Sequence, residues 1–218
     1  MKKLLLLVSA ALLFGFNMNA QESSESFFKQ NALKISPVEF GKAEFQVSYE
    51  RYFGKDRNSS LSIMPSIILE DSFNESREGY QIMAQYRFFL THLRKDEGNS
   101  IFGMHNIGFY AGFYGLALDY SRDYMAGYYD ESSMQWIEKE YNRDQTSLEG
   151  GALIGLQMDI TDRICLDMYL GGGIRKTDYT DTIEDDINIE NYYNSYDVFD
   201  REYNGVKPRL GLQVGILF

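Results

Sequence analysis

Residues 207–218, KPRLGLQVGILF, alternate with a period of two. Phe218, Ile216, Val214, Leu212 and Leu210 fall on one face. Leu217, Gly215, Gln213, Gly211 and Arg209 fall on the other. Extended backbone sends successive side chains to opposite faces, so this stretch is a β-strand meeting two different environments. No segment beyond residue 20 is long and apolar enough for a membrane helix, so any membrane crossing has to be made by strands.

The same alternation recurs upstream, and eight strands are expected: about 31–38, 44–53, 60–70, 79–91, 101–120, 147–160, 164–177 and 207–218. In the second, Phe45, Val47 and Tyr49 oppose Gln46, Ser48 and Glu50. In the fourth, Tyr80, Ile82, Ala84, Tyr86, Phe88 and Leu90 oppose Gln81, Met83, Gln85, Arg87 and Phe89. The fifth is rich in glycine and aromatics, and its faces cannot be assigned without a bulge. Pro37 and Pro65 each remove a ladder hydrogen bond, which points to a bulge or strand end nearby. Connections alternate in length. Those at 54–59, 92–100 and 161–163 would lie at the end carrying both termini. Those at 39–43, 71–78, 121–146 and 178–206 would lie at the other, and the last two are long. The pattern predicts an all-β, eight-stranded antiparallel up-and-down transmembrane barrel, residues 31–218, with short periplasmic turns and two long extracellular loops.

Residues 1–20, MKKLLLLVSAALLFGFNMNA, read as a secretory signal peptide cleaved near Ala20, with Lys2 and Lys3 before an apolar core too short to span a bilayer. Residues 21–30 read as a flexible lead-in. Without Lys2 and Lys3, the 21 basic residues become 19 against 32 acids, a net charge of −13. That balance argues against nucleic-acid binding, which needs basic partners for phosphates. The single cysteine, Cys165, cannot form an internal disulfide.

Two architectures share such strands. A soluble lipocalin-type barrel turns its apolar face inward, and a membrane barrel turns it outward. Three features favour the second. The polar face is rich in glycine, which suits a crowded interior. Tyr49, Phe53, Tyr86, Phe88 and Phe218 sit near strand ends on the apolar face, as in an interfacial girdle. Disulfides, common in secreted lipocalins, are excluded. The interior would then hold Lys34, Glu50, Arg87, Glu149, Asp167, Arg175 and Arg209, with Gln46, Gln85, Gln157 and Gln213. An eight-stranded barrel is filled by its own side chains. Buried charges have to pair, so a salt-bridged plug is favoured over an ion conduit.

Segments GYQIMAQYRFFLT (79–91), NIGFYAGFYG (106–115) and the terminal GLQVGILF carry a resemblance to the small eight-stranded outer-membrane barrels of Gram-negative bacteria, the OmpA/OmpX-like group. The chain looks closest to barrels of that group described only as outer-membrane β-barrel domains. The resemblance implies a monomer at the cell outer membrane. It also implies that Phe218 is the aromatic terminus read by the barrel-assembly machinery.

Chemistry is sparsely signalled. The hydrolytic or transfer chemistry of barrel enzymes generally needs a histidine, and the chain has only His92 and His105, both expected near the periplasmic rim; no GxSxG or HExxH motif occurs. A non-enzymatic barrel without cofactor is therefore expected, ahead of a lipid-modifying enzyme. In 178–206, Asp181, Glu184, Asp185 and Asp186 offer oxygen ligands for a divalent cation, although a solvated acidic loop is favoured. Both long loops are rich in tyrosine. Tyr128, Tyr129, Trp136, Tyr192 and Tyr193 are candidates for contact with an extracellular protein or lipopolysaccharide. The competing reading of these aromatics is extension of the barrel sheet. The expected function is a structural or interaction barrel in outer-membrane lipid, with a small transport or hydrophobic-ligand-binding barrel as the alternative.

Overall fold

A computed structural model describes residues 29–72, 75–94, 106–130, 134–182 and 198–218. Eight antiparallel strands follow in chain order: β1 (Asn31–Ile35), β2 (Glu44–Phe53), β3 (Ser59–Ser72), β4 (Glu75–Arg94), β5 (Asn106–Asp130), β6 (Gln135–Asp159), β7 (Ile164–Thr182) and β8 (Gly205–Leu217). Each pairs with the next, and β8 returns to β1 to close the barrel. The seam is completed by Asn31 and Phe218, which exchange backbone N–H···O bonds of 3.0 and 2.9 Å. Closure leaves no unpaired sheet edge. The expectation of eight antiparallel strands in one ring holds. Residues 1–20, expected as a signal peptide, lie outside the described residues.

The register sets the shape of the ring. The ladder partners run from Leu217 through Ala32, Glu50, Ser62, Gln85, Tyr114, Gly151 and Gly173. They return to β8 at Lys207, ten residues before Leu217. In a closed ring of eight strands that stagger requires a tilt of about 40° from the barrel axis. All these positions face inward or pack at the wall, so one helical line of residues winds up the lumen. The end carrying both termini is called the lower end below.

Facing follows the sequence pattern. Along β2, Glu44, Gln46, Ser48 and Glu50 are buried, whereas Phe45 and Phe53 are exposed. Leu61, Ile63, Ile67 and Leu69 of β3, Ile82 and Phe88 of β4, and Leu210, Val214 and Ile216 of β8 point outward. The barrel is thus polar inside and apolar outside, the reverse of a water-soluble globule.

Four local features differ from the sequence reading. Residues 121–146, expected as a long loop, continue β5 and β6 as a paired ribbon out to Asp130 opposite Gln135. Residues 71–78, expected as a loop, belong largely to the strands of the β3–β4 hairpin, which pair out to Ser72 opposite Glu75. The first strand stops at Ile35, and Pro37–Phe40 form one helical turn, α1, with proline at its start. Pro37 has no N–H to give a ladder but suits the first turn of a helix. α1 packs on β2 and β8 above the short β1, with Phe40 stacked on Phe45 at 5.8 Å. Finally, the bulge lies in β4, not β5. The β4–β5 register shifts between Phe89 and Thr91, leaving Leu90 as the extra residue. With the slip on its neighbour, β5 alternates cleanly from Phe109 to Tyr120.

Glycines on the inner face make room for tyrosines. Tyr110 pairs with Gly155 across β5–β6, and a Cβ at Gly155 would sit 2.3 Å from the tyrosine ring and 2.7 Å from the Met168 carbonyl. Tyr169 pairs with Gly211 in the same way, at 2.1 Å. The rings lie across the glycines and pack with Met64, Ile68, Met83, Leu116, Leu118, Tyr120 and Leu153 into an apolar layer inside the barrel.

Candidate functional site

The described lumen is filled by ionic clusters at successive heights. The lowest of the stoppers is Arg57, from the β2–β3 turn. It adopts a positive φ of 53° and is 2% exposed. Its Nε donates to the Lys29 carbonyl at 2.6 Å, and its NH1 donates to Asp159 Oδ2 at 2.9 Å. The guanidinium lies 4.5 Å from the centre of the Tyr52 ring. The Gln30 carbonyl accepts from Tyr52 N at 2.8 Å, so the last two residues of the lead-in are held against the lower mouth.

Above it sits a quartet of two cations and two carboxylates. Lys34 (β1) donates to Glu50 (β2) and, at 2.7 Å, to Asp167 Oδ2 (β7). Arg87 NH1 (β4) donates to the same two acids, at 3.1 and 2.6 Å. All four side chains are fully buried. The remaining lone pairs are used: Tyr110 donates to Asp167 Oδ1 at 2.7 Å, Ser60 to Glu50 Oε1, and Tyr52 to Glu50 Oε2 at 3.1 Å. Gln85 Oε1 accepts from Arg87 Nε and NH2, at 2.9 and 2.7 Å. Gln157 Oε1 shares the single Tyr52 phenol proton with Glu50, at 2.8 Å, and accepts from Lys34 at 3.3 Å. The quartet is electrically neutral, and strands β1 to β7 all contribute to its shell. Burying four ions is tolerable because each charge faces opposite charges and hydrogen-bond partners.

The next cluster is centred on Glu149 (β6). It accepts from Arg175 Nε at 2.8 Å, from Arg209 Nε and NH2 at 2.7 and 2.8 Å, and from Tyr114 at 2.7 Å. Of the eleven interior residues expected from the sequence, nine fall into these two networks, and Gln46 and Gln213 are buried apart from them on Ser36, whose hydroxyl donates to Gln46 Oε1 at 2.7 Å and accepts from Gln213 Nε2 at 3.1 Å. Lys34, Glu50, Gln85, Arg87, Gln157 and Asp167 form the quartet and its shell. Glu149, Arg175 and Arg209 form the upper cluster.

The upper mouth is crossed by the turn at Asp200–Glu202, which precedes β8. Glu202 is 4% exposed. Its carboxylate accepts from Arg122 NH1 of β5 at 2.6 Å and from Arg143 NH1 of β6 at 3.3 Å. The Arg201 carbonyl accepts from Arg175 NH1 at 2.8 Å and from Gln145 Nε2 at 2.9 Å. Lys207 donates to the Asp200 carbonyl, and Tyr179 to that of Glu202. On the far side, Arg201 NH2 donates to the Lys42 carbonyl at 2.6 Å and to Glu44 Oε2 at 3.3 Å. Burial disfavours the charge on Arg122, but Glu202 and Glu75 more than offset it and hold the guanidinium above its ordinary value. Burial, followed by Glu202, pushes the Tyr179 phenol up.

Sequence reasoning missed Arg57, Tyr52, Tyr110, Tyr114 and the 200–202 turn. The tyrosines share the inward parity of the polar residues beside them, and that parity was the available signal. Nothing local marks Arg57 or Arg201, since turn residues carry no period. His92 is not in a turn. It belongs to the end of β4, stacked on Phe89 at 5.1 Å with Nε2 3.3 Å from the Arg57 carbonyl. His105 lies outside the described residues. Of the cation candidates, Asp181 falls in β7 opposite Arg143 in the ladder, and Glu184, Asp185 and Asp186 lie outside the described residues. Among the described residues no three His, Cys, Asp or Glu are grouped as metal ligands. Tyr129 pairs with Trp136, and Tyr128 with Ile137, at the tip of the ribbon. Tyr192 and Tyr193 are outside the described residues.

Comparison with models of known protein families and with curated proteins returns no match.

Proposed function

We propose that this chain is an outer-membrane β-barrel of structural and interaction type, a monomer in lipid that presents acidic, tyrosine-rich segments to the cell exterior. The observation that carries the reading is the inverted burial. Water would punish an outer surface of leucine, isoleucine, valine and phenylalanine wound around a core of lysine, arginine and glutamate. Hydrocarbon rewards the first, and closure of the ring leaves no open sheet edge in it.

Dimensions agree. Phe45 and Phe53 mark the upper and lower margins of the apolar belt on β2, joined by Tyr80 above and by Tyr86, Phe88, Phe109 and Phe218 below. Eight residues of strand span about 27 Å, or roughly 21 Å in height at the barrel's tilt, near the ~25 Å apolar band of such proteins. Arg51 lies at the lower margin, where its long stem reaches water. The upper ribbon then stands clear of the belt. The exposure of Phe218 at the closing seam supports the reading that assembly machinery recognises it. The neutral quartet and the stoppers at both mouths favour a closed barrel over a transport or ligand-carrying one, and the outward apolar face disfavours a soluble lipocalin-like form.

The test is fractionation of cells expressing the full chain, with paired unheated and boiled gel lanes. Outer-membrane recovery with a faster unheated band is expected. Recovery as a soluble periplasmic protein would overturn the reading.

A further inference from the structure

The turn that closes the upper mouth is not built like a piece of wall. Wall strands hold one another through backbone ladders. The contacts described between the barrel and Asp200–Glu202 run instead through side chains. Arginine, glutamine, tyrosine and lysine side chains of β5 to β8 donate to one carboxylate and three consecutive carbonyls of the turn. Proteins grip bound peptides in this manner, with charge-assisted donors on an acid and fixed donors on the main chain.

The mouth is also polarised to match. Its β5–β8 side presents Arg122, Arg143, Arg175 and Lys207, and its β2–β3 side presents Glu44 and Glu70. Glu202 faces the first side and Arg201 the second. The acceptors come from the connection before β8 and the donors from four strands of the closed ring.

We infer that the upper mouth is a binding site for an acidic peptide segment of a partner protein, and that Asp200-Arg201-Glu202 fills it in cis. A partner segment with a glutamate beside an arginine would displace the turn and take the same donors. That this mouth faces the cell exterior rests on the membrane reading. The binding itself does not, and it can be measured in detergent or in buffer.

The probe is a fluorescent synthetic peptide of residues 198–204, VFDREYN, and its control is the same peptide with glutamine for glutamate. Binding is measured by anisotropy to the full chain and to an R201A/E202Q double variant. Both are first shown to be folded by the unheated gel band or, for a soluble product, by circular dichroism. A site filled in cis reports an affinity reduced by the fraction of time it is open. The double variant should therefore bind the peptide at least about tenfold more tightly than the parent chain. The control peptide should lose most of that gain, and adding Arg122→Ala and Arg143→Ala should abolish it. Equal affinity for the two peptides, or no gain on releasing the turn, would overturn the inference.

Trypsin supplies an independent readout at Arg201. Relative to the ratio of cleavage rates for the free peptides VFDREYN and VFDRQYN, Glu202→Gln should be cut there at least about tenfold faster than the parent, and the exposed-site control Asp178→Asn should not differ from the parent. Parent-like cleavage of Glu202→Gln would show that the carboxylate does not hold the turn. A failed fractionation would remove the cell-surface setting without touching either result.

Discussion

Arg87 shows how much a single residue carries in this interior. It bridges Glu50 and Asp167 and is itself fully buried. Arg87→Met keeps the volume but leaves two carboxylates facing Lys34 alone. A broken buried pair costs about 3–5 kcal/mol, and urea unfolding in lipid vesicles should show a loss of that order. The pair Lys42–Glu39 offers the contrast, because Lys42 is 54% exposed, and Lys42→Ala should cost under about 1 kcal/mol. Equal effects would mean that burial does not set the strength of these pairs. Glycine positions divide similarly. Gly155→Ala drives a methyl into the Tyr110 ring and the Met168 carbonyl and would push the phenol off Asp167, a cost of about 1–3 kcal/mol. Gly115→Ala meets nothing within 4 Å and should be near neutral in the same assay.

Elements here divide between the closed ring of eight strands and the β5–β6 ribbon that extends beyond it. The β5–β6 ribbon pairs from Met125 opposite Glu140 out to its tip, beyond the stacked Tyr124 and Tyr141 at 5.7 Å. Ladder bonds below that point do not depend on those above. Replacing residues 126–139 with a two-residue turn should therefore leave the heat-sensitive gel band intact and change the unfolding midpoint little. Loss of the folded band would show that the ribbon nucleates the barrel. The polar stretch 121–146 read as a loop, and extension of the sheet was only the competing reading of its aromatics. A ladder pairs backbone with backbone whatever its side chains, so pairing continues toward the tip where a regular apolar alternation is absent.

The whole molecule is a ring whose described lumen is stoppered at several heights: Arg57 below, then the quartet, the tyrosine-rich layer, the Glu149 cluster and the 200–202 turn. Planar-bilayer recordings of the purified protein should show no steady unitary conductance. A stable, reproducible step would contradict a side-chain plug. Eight strands with a ten-residue stagger leave a lumen that side chains fill, and the balance of two cations against two acids in the quartet removes the attraction for a permeant ion.

Period-two alternation was enough by itself to place eight strands in chain order and to group the residues that share a face on most of them, because parity is a property of extended backbone alone; it left the faces of β5 unassigned and did not by itself say which face lines the lumen. Lys34, Glu50, Arg87 and Asp167 could be placed on the polar faces on that ground. Their assembly into one quartet could not, since it depends on the stagger that brings β1, β2, β4 and β7 to the same height. The slip at Leu90, the helical turn at Pro37 and the reach of Arg57 into the lower mouth were likewise decided by closure of the ring. So was the fold of Asp200–Glu202 over the upper mouth, where six side chains from four strands meet three residues of a connection. Partners fixed by register across the ring leave no mark in a local pattern, and only the closed structure brings them together.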